Sequence, residues 1–117
     1  MKKNTNLQEK AMEFAIKIRK LYKYLNSKSE FIISKQILRS GTSIGANIWE
    51  AEYSESTKDL VHKFSISLKE VHETIYWLQF LKNTEEISNA YFEELFNGAE
   101  ELLKILITII KKLKYKP

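Results

Sequence analysis

Cysteine is absent from this 117-residue chain, which excludes a disulfide framework, a thiolate-ligated zinc site and thiol chemistry. Glycine occurs three times and proline once, as the terminal Pro117. Sheets need many turns, and turns draw on these two residues. Their scarcity disfavours sandwiches, barrels and βαβ folds and leaves long helices. Long apolar runs are missing as well. The longest, Leu102 to Ile110, is interrupted by Lys104 and Thr108 and falls far short of the ~20 residues a membrane span needs. The basic start Met1-Lys2-Lys3 leads into no apolar segment, because Lys10, Glu13 and Lys17 break it up. No secretory leader and no membrane partner are expected, and a cytoplasmic setting fits.

What the chain does have is the composition of a globular protein, 44% hydrophobic and 29% charged, and the length of a single domain spanning 1–117. Four segments carry helical periodicity. Leu7, Ala11, Phe14, Ile18, Leu21 and Leu25 alternate steps of four and three, and the first helix should end in the polar cluster Asn26-Ser27-Lys28-Ser29. Ser27 or Ser29 is a candidate cap for the second helix. That helix runs through Ile33, Ile37, Ser40, Ile44, Asn47 or Ile48, and Ala51. The phase passes without a shift through Ser40-Gly41-Thr42-Ser43-Ile44-Gly45, so one continuous helix is expected despite the two glycines. Gly41 and Gly45 share a face and point to close approach of another backbone. The third segment starts at Ser56, with Asp59 three residues on as in a capping box, and carries Leu60, Phe64, Ser67 or Leu68, Val71, Ile75, Leu78 and Leu81. The fourth follows a capping Ser88 and carries Phe92, Leu95, Ala99, Leu102, Leu106, Ile109 and Leu113. Short connections make successive helices antiparallel neighbours. The expected fold is all-α, an antiparallel up-down-up-down four-helix bundle.

Helix four has a second apolar stripe, Phe96, Leu103, Ile107 and Ile110, with Ile105 in a third direction. A surface helix normally keeps one stripe apolar, so self-association is expected. Leu103, Ile105, Ile107 and Ile110 are candidate interface residues, joined by Trp49 and Trp77, which sit off the core stripes.

The charge pattern offers a second surface. The net charge of +4 is uneven: residues 1–28 hold eight basic side chains against two acidic ones, and the C-terminus is basic again. In this topology both clusters meet at one pole. Lys2, Lys3, Lys10, Lys111, Lys112 and Lys114 are therefore candidate contacts for nucleic-acid phosphate, a sequence-blind and salt-sensitive interaction.

Chemistry is harder to place. A di-iron bundle needs two Glu-x-x-His units, and the only acid–histidine pair at that spacing is Asp59 and His62. There is no phosphate-binding Gly-rich loop and no nucleophile elbow. No catalytic residue, metal, cofactor or small-molecule substrate is expected. Arg39, Ser43, Asn47 and Glu50 share one face of helix two, and Glu70 and Glu73 of helix three can reach Arg39. This constellation reads as a packing network that fixes register.

The stretch Lys35-Gln36-Ile37-Leu38-Arg39-Ser40-Gly41-Thr42-Ser43-Ile44-Gly45-Ala46-Asn47-Ile48-Trp49-Glu50-Ala51 resembles the signature of the bacterial four helix bundle protein family, also called the 23S rRNA intervening-sequence protein family. Residues 63–78 and Glu101-Leu102-Leu103-Lys104-Ile105-Leu106 continue the likeness. The resemblance implies a homopentamer without catalytic residues. It implies, for some members, an origin inside 23S rRNA genes. For a related group it implies service as retroelement accessory proteins that bind a reverse transcriptase and nucleic acid. Trp49 stands where the family commonly has small or acidic residues. Two functions follow as expectations: an oligomeric adaptor binding RNA or DNA, or an interaction scaffold without nucleic acid.

Overall fold

The computed structural model describes residues 6–115 and contains four helices: α1 (Asn6–Ser27), α2 (Ile33–Ala51), α3 (Thr57–Asn83) and α4 (Asn89–Lys114). No strand occurs among the described residues. Each helix packs on its two neighbours around a closed square, α1 on α2, α2 on α3, α3 on α4 and α4 back on α1. The all-α four-helix bundle expected from the periodicity is the fold observed. Its centre is filled by Ile18, Leu21 and Leu25 of α1, Ile37 and Ile44 of α2, Val71, Leu78 and Leu81 of α3, and Leu95, Leu102 and Leu106 of α4.

The ends of the helices show how a glycine-poor chain makes its turns. α1 closes in a left-handed residue, Ser29 (φ 63°), with Glu30 N–H donating to the Leu25 carbonyl (2.9 Å) and Ser29 N–H to that of Asn26 (3.0 Å). α3 closes in the same way at Glu85 (φ 61°), with Glu86 N–H donating to the Leu81 carbonyl (2.9 Å). Both turns place a residue with a side chain where glycine is usual. Ser29 is therefore committed to ending α1 and caps nothing, contrary to expectation. The α2 N-terminus is capped instead by Glu30, whose Oε1 accepts from Ser34 N–H (2.7 Å). A carboxylate there also meets the positive end of the helix dipole. Ser56 and Ser88 do cap α3 and α4, accepting from Asp59 N–H (3.1 Å) and Tyr91 N–H (3.0 Å). Asp59 returns a bond to Glu55 N–H (3.3 Å) rather than to that of Ser56.

α2 is continuous through both glycines. A Cβ built on Gly41 would lie 2.8 Å from both γ-carbons of Ile18, so α1 passes too close for any side chain there. At Gly45 the nearest atom, the Ala11 Cβ, would be 3.5 Å away, an ordinary contact. The close approach expected from the pair is thus concentrated at Gly41.

Between α2 and α3 the core is polar in part. The Ser40 and Thr74 hydroxyls share a hydrogen bond (2.9 Å), and Ser67 donates to the Ile44 carbonyl (2.9 Å), all three residues being fully buried. Thr74, not Ile75, occupies the α3 core position. These small side chains let the two helices approach while each hydroxyl finds a partner.

Candidate interaction surfaces

Three surfaces follow from how the helices are set. The first is the outer α2–α3 face. Leaning away from the core, Arg39 donates to Glu70 Oε1 (3.3 Å) and to Glu73, and Trp77 Nε1 donates to Glu73 Oε2 (3.1 Å). About two helical turns nearer the α2 C-terminus, Asn47 donates to the Ser43 carbonyl (2.9 Å). Beyond it, Glu50 pairs with Lys63 of α3 (3.0 Å). Arg39, Ser43, Asn47 and Glu50 thus form a seam laced to α3 by three ion pairs. The Arg39 guanidinium, with help from the Trp77 indole, holds the Glu73 carboxyl below its ordinary range. A depressed carboxylate stabilises the fold above its unfolded pKa and loses that contribution as pH falls through the folded value. Half of the pair is in water, so the effect is at most about 1 kcal/mol. The Glu73→Gln variant should therefore melt slightly below wild type at neutral pH. The gap should close as the pH is lowered past the carboxylate range, which paired thermal melts would read.

The second surface is a groove between α1 and α2, about 390 Å³ in volume, lined by Gln8, Met12, Ala15, Thr42, Ala46 and Trp49. It exists because Gly45 and Ala11 bring small residues together where the two helices meet. Met12 and Trp49 stand exposed along it. The periodicity of α1 alone hides this feature, since Met12 falls outside its core stripe. Only the register of α1 on α2 brings it beside Trp49.

The third surface is the end of the bundle where α1 begins and α4 finishes. Lys111, Lys112 and Lys114 are exposed there, in the last turn of α4. Lys10 pairs with Glu101 of α4 (2.7 Å), and that hydrogen bond raises its pKa. Lys10 is therefore part of an α1–α4 ion pair, continued by Lys17 and Glu94 (3.8 Å), more than part of a free basic cluster. Lys2 and Lys3 lie outside the described residues. On α4, Leu103 and Ile105 are half-buried against the core, and Ile107 is half-exposed. Ile110, expected on an outer face, is instead buried inside the bundle, because the helix turns that stripe toward its neighbours. Trp77 lies half-buried beside Tyr76 and Phe80, edge-on to both (5.0 and 5.9 Å).

Among the described residues, no three metal-ligating side chains come together and no helix is long and apolar enough to cross a membrane. Against known proteins, residues 3–108 match the family described as 23S rRNA-intervening sequence protein. Among solved structures, the chain is similar to a protein of unknown function from the S23 ribosomal protein family of Bacteroides thetaiotaomicron VPI-5482. The two are 52% identical with a TM-score of 0.89, over 90% of this chain and 98% of the other. No curated protein matches.

Proposed function

Since the chain belongs to the 23S rRNA-intervening sequence protein family, we propose that it is a non-catalytic subunit that assembles with copies of itself, in a ring of five, and binds nucleic acid weakly at its lysine-rich end. The observation that carries the nucleic-acid reading is the exposed cluster of Lys111, Lys112 and Lys114 on the last turn of α4. Cations at a helix C-terminus are stabilised by the helix dipole, and a ring would bring several such clusters together. Phosphate contact of this kind carries no sequence information and weakens steeply with salt. Tyr115 is the one exposed aromatic beside these lysines among the described residues, so base stacking adds little.

The non-catalytic part of the reading rests on where ionisation is perturbed. Lys10, Arg39 and Glu73 owe their shifts chiefly to ion-pair hydrogen bonds between helices, and Tyr91 to burial. None of the four lines the apolar groove.

Labelled RNA and single-stranded DNA, titrated at low and near-physiological salt, test the nucleic-acid reading. Wild type should bind both at low salt and lose affinity as salt rises. The Lys111→Glu/Lys112→Glu/Lys114→Glu variant should bind at least tenfold more weakly. Equal binding by the variant, or none by wild type, would leave an interaction scaffold as the function. That second reading is favoured by Lys10, whose charge is already taken up by Glu101.

A further inference from the structure

The outer α1–α2 face has apolar side chains at its middle and opposite charges at its two ends. Met12 is 57% exposed, Ile16 50% and Trp49 41%, and Met12 and Trp49 line the apolar groove. On α1, Glu9 lies in the first turn, while Arg19 and Lys23 follow near its end; Glu13 lies on the α4 side, beside Lys10 and Glu101. On the antiparallel α2, Lys35 comes in the first turn, beside the basic end of α1, and Glu50, paired with Lys63 of α3, comes in the last. One end of the face is acidic and the other basic.

We propose that this face binds a second copy of itself, antiparallel, about a two-fold axis passing beside Ile16. The proposal rests on the self-association reading above and adds to it a two-fold contact. A two-fold contact is isologous, so each residue meets its mirror position. With Ile16 on Ile16 at the axis, residue spacing along α1 sets Glu9 of one copy opposite Lys23 of the other. The register of α2 follows from Gly41 lying against Ile18 and Gly45 against Ala11, which puts Thr42 level with Ile16. Reversal about that level sets Lys35 opposite Trp49, a cation facing an indole. The same operation brings Phe31, 54% exposed, to the level of Tyr53, 59% exposed. A single placement thus pairs the charges and covers the apolar side chains that each copy leaves in water.

The size is sufficient. Two helices of about 20 residues, each ~10 Å across, present a face of about 30 by 20 Å. That is ~600 Å² per copy and ~1,200 Å² in total, the lower bound of stable specific interfaces. An anionic partner such as nucleic acid or a charged membrane fits this face less well, because its acidic end would repel it.

Sedimentation velocity of the full chain, across concentrations and at two salt levels, tests the contact. The wild type should contain an even number of chains: two alone, or ten where a ring of five also closes. Glu9→Lys and Lys23→Glu should each weaken pairing at least tenfold at low salt, since each reverses two symmetry-related contacts. The double variant Glu9→Lys/Lys23→Glu should recover it, because the swapped charges again meet. Ile16→Asp should abolish pairing while leaving helical circular dichroism unchanged, Ile16 lying outside the core. A five-chain assembly unmoved by either reversal overturns the two-fold contact and leaves the ring standing. A monomer at every concentration overturns both. Failure of the double variant to regain pairing also overturns the register proposed.

Discussion

Gly41→Ala is expected to destabilise the bundle by about 1–3 kcal/mol, as small-to-large changes in packed sites do, although alanine is the better helix former by ~1 kcal/mol. The new methyl would arrive 2.8 Å from both γ-carbons of Ile18 and 3.2 Å from its Cβ. Ile18 is fully buried, and its branch point cannot swing aside as the far end of a long side chain would. α1 must therefore move away from α2, loosening contacts along both. Gly45→Ala should behave oppositely and stabilise by about 0.5–1 kcal/mol, since its Cβ meets Ala11 at 3.5 Å and the unfolded chain loses freedom. Urea and thermal unfolding of the two variants side by side separate local packing from generic glycine effects. Removing the obstacle gives a sharper check. Ile18→Ala alone leaves a cavity costing about 2–5 kcal/mol. Combined with Gly41→Ala it should cost less than the sum of the two, because the new methyl enters the vacated space. A stabilising Gly41→Ala would mean that the helix is flexible at that point, not crowded.

Much of the fold was legible because it depends on residues close in sequence. The Ser56 and Ser88 caps are local: a side-chain oxygen reaches an N–H three residues on, and the spacing can be read off the chain. The four core stripes are local in the same sense. The departures come where a residue competes between roles. Ser29 is a good N-cap by type, but α1 needed a residue in left-handed conformation there, and with no glycine nearby Ser29 took that role. Ile75 is the more apolar choice, yet Thr74 is in phase with Ser67, Val71, Leu78 and Leu81, and a hydroxyl across from Ser40 makes it a satisfied core residue. The surfaces were less legible because they join helices. Nothing in α1 alone marks Met12, and nothing in α2 alone says that Trp49 lines the same groove. The charge reversal along that face emerges only when two oppositely directed helices are laid side by side. Lys10 shows the converse: it counts as basic in sequence, but a residue 91 positions away takes up its charge.

Leu106→Ala is expected to cost about 2–5 kcal/mol, a large part of the 5–15 kcal/mol that holds a domain together. Ile107→Ala, one residue on, should cost less than about 1 kcal/mol. The two side chains are of equal size and equally apolar, so composition cannot distinguish them. What differs is the 100° rotation between neighbours on a helix. Leu106 is fully enclosed in the core cluster, whereas Ile107 is partly exposed and outside that cluster. Leu103, Ile105 and Ile109 fall between these extremes, packed on the rim of the core. This grading explains how α4 can be so apolar within a single bundle: its stripe is wide because the helix packs on both α1 and α3. Of the half-buried α4 candidates, Ile107 is the one not packed against the core cluster, and so the one on that helix to test for assembly. Ile107→Asp should leave helicity and the unfolding midpoint nearly unchanged. Any fall in sedimentation coefficient in that variant would then place the edge of α4 in contact with another chain. An unchanged coefficient would confine self-association to the other faces. Leu106→Asp serves as the contrast, since a carboxylate enclosed there would have no partner and the chain should lose its cooperative transition.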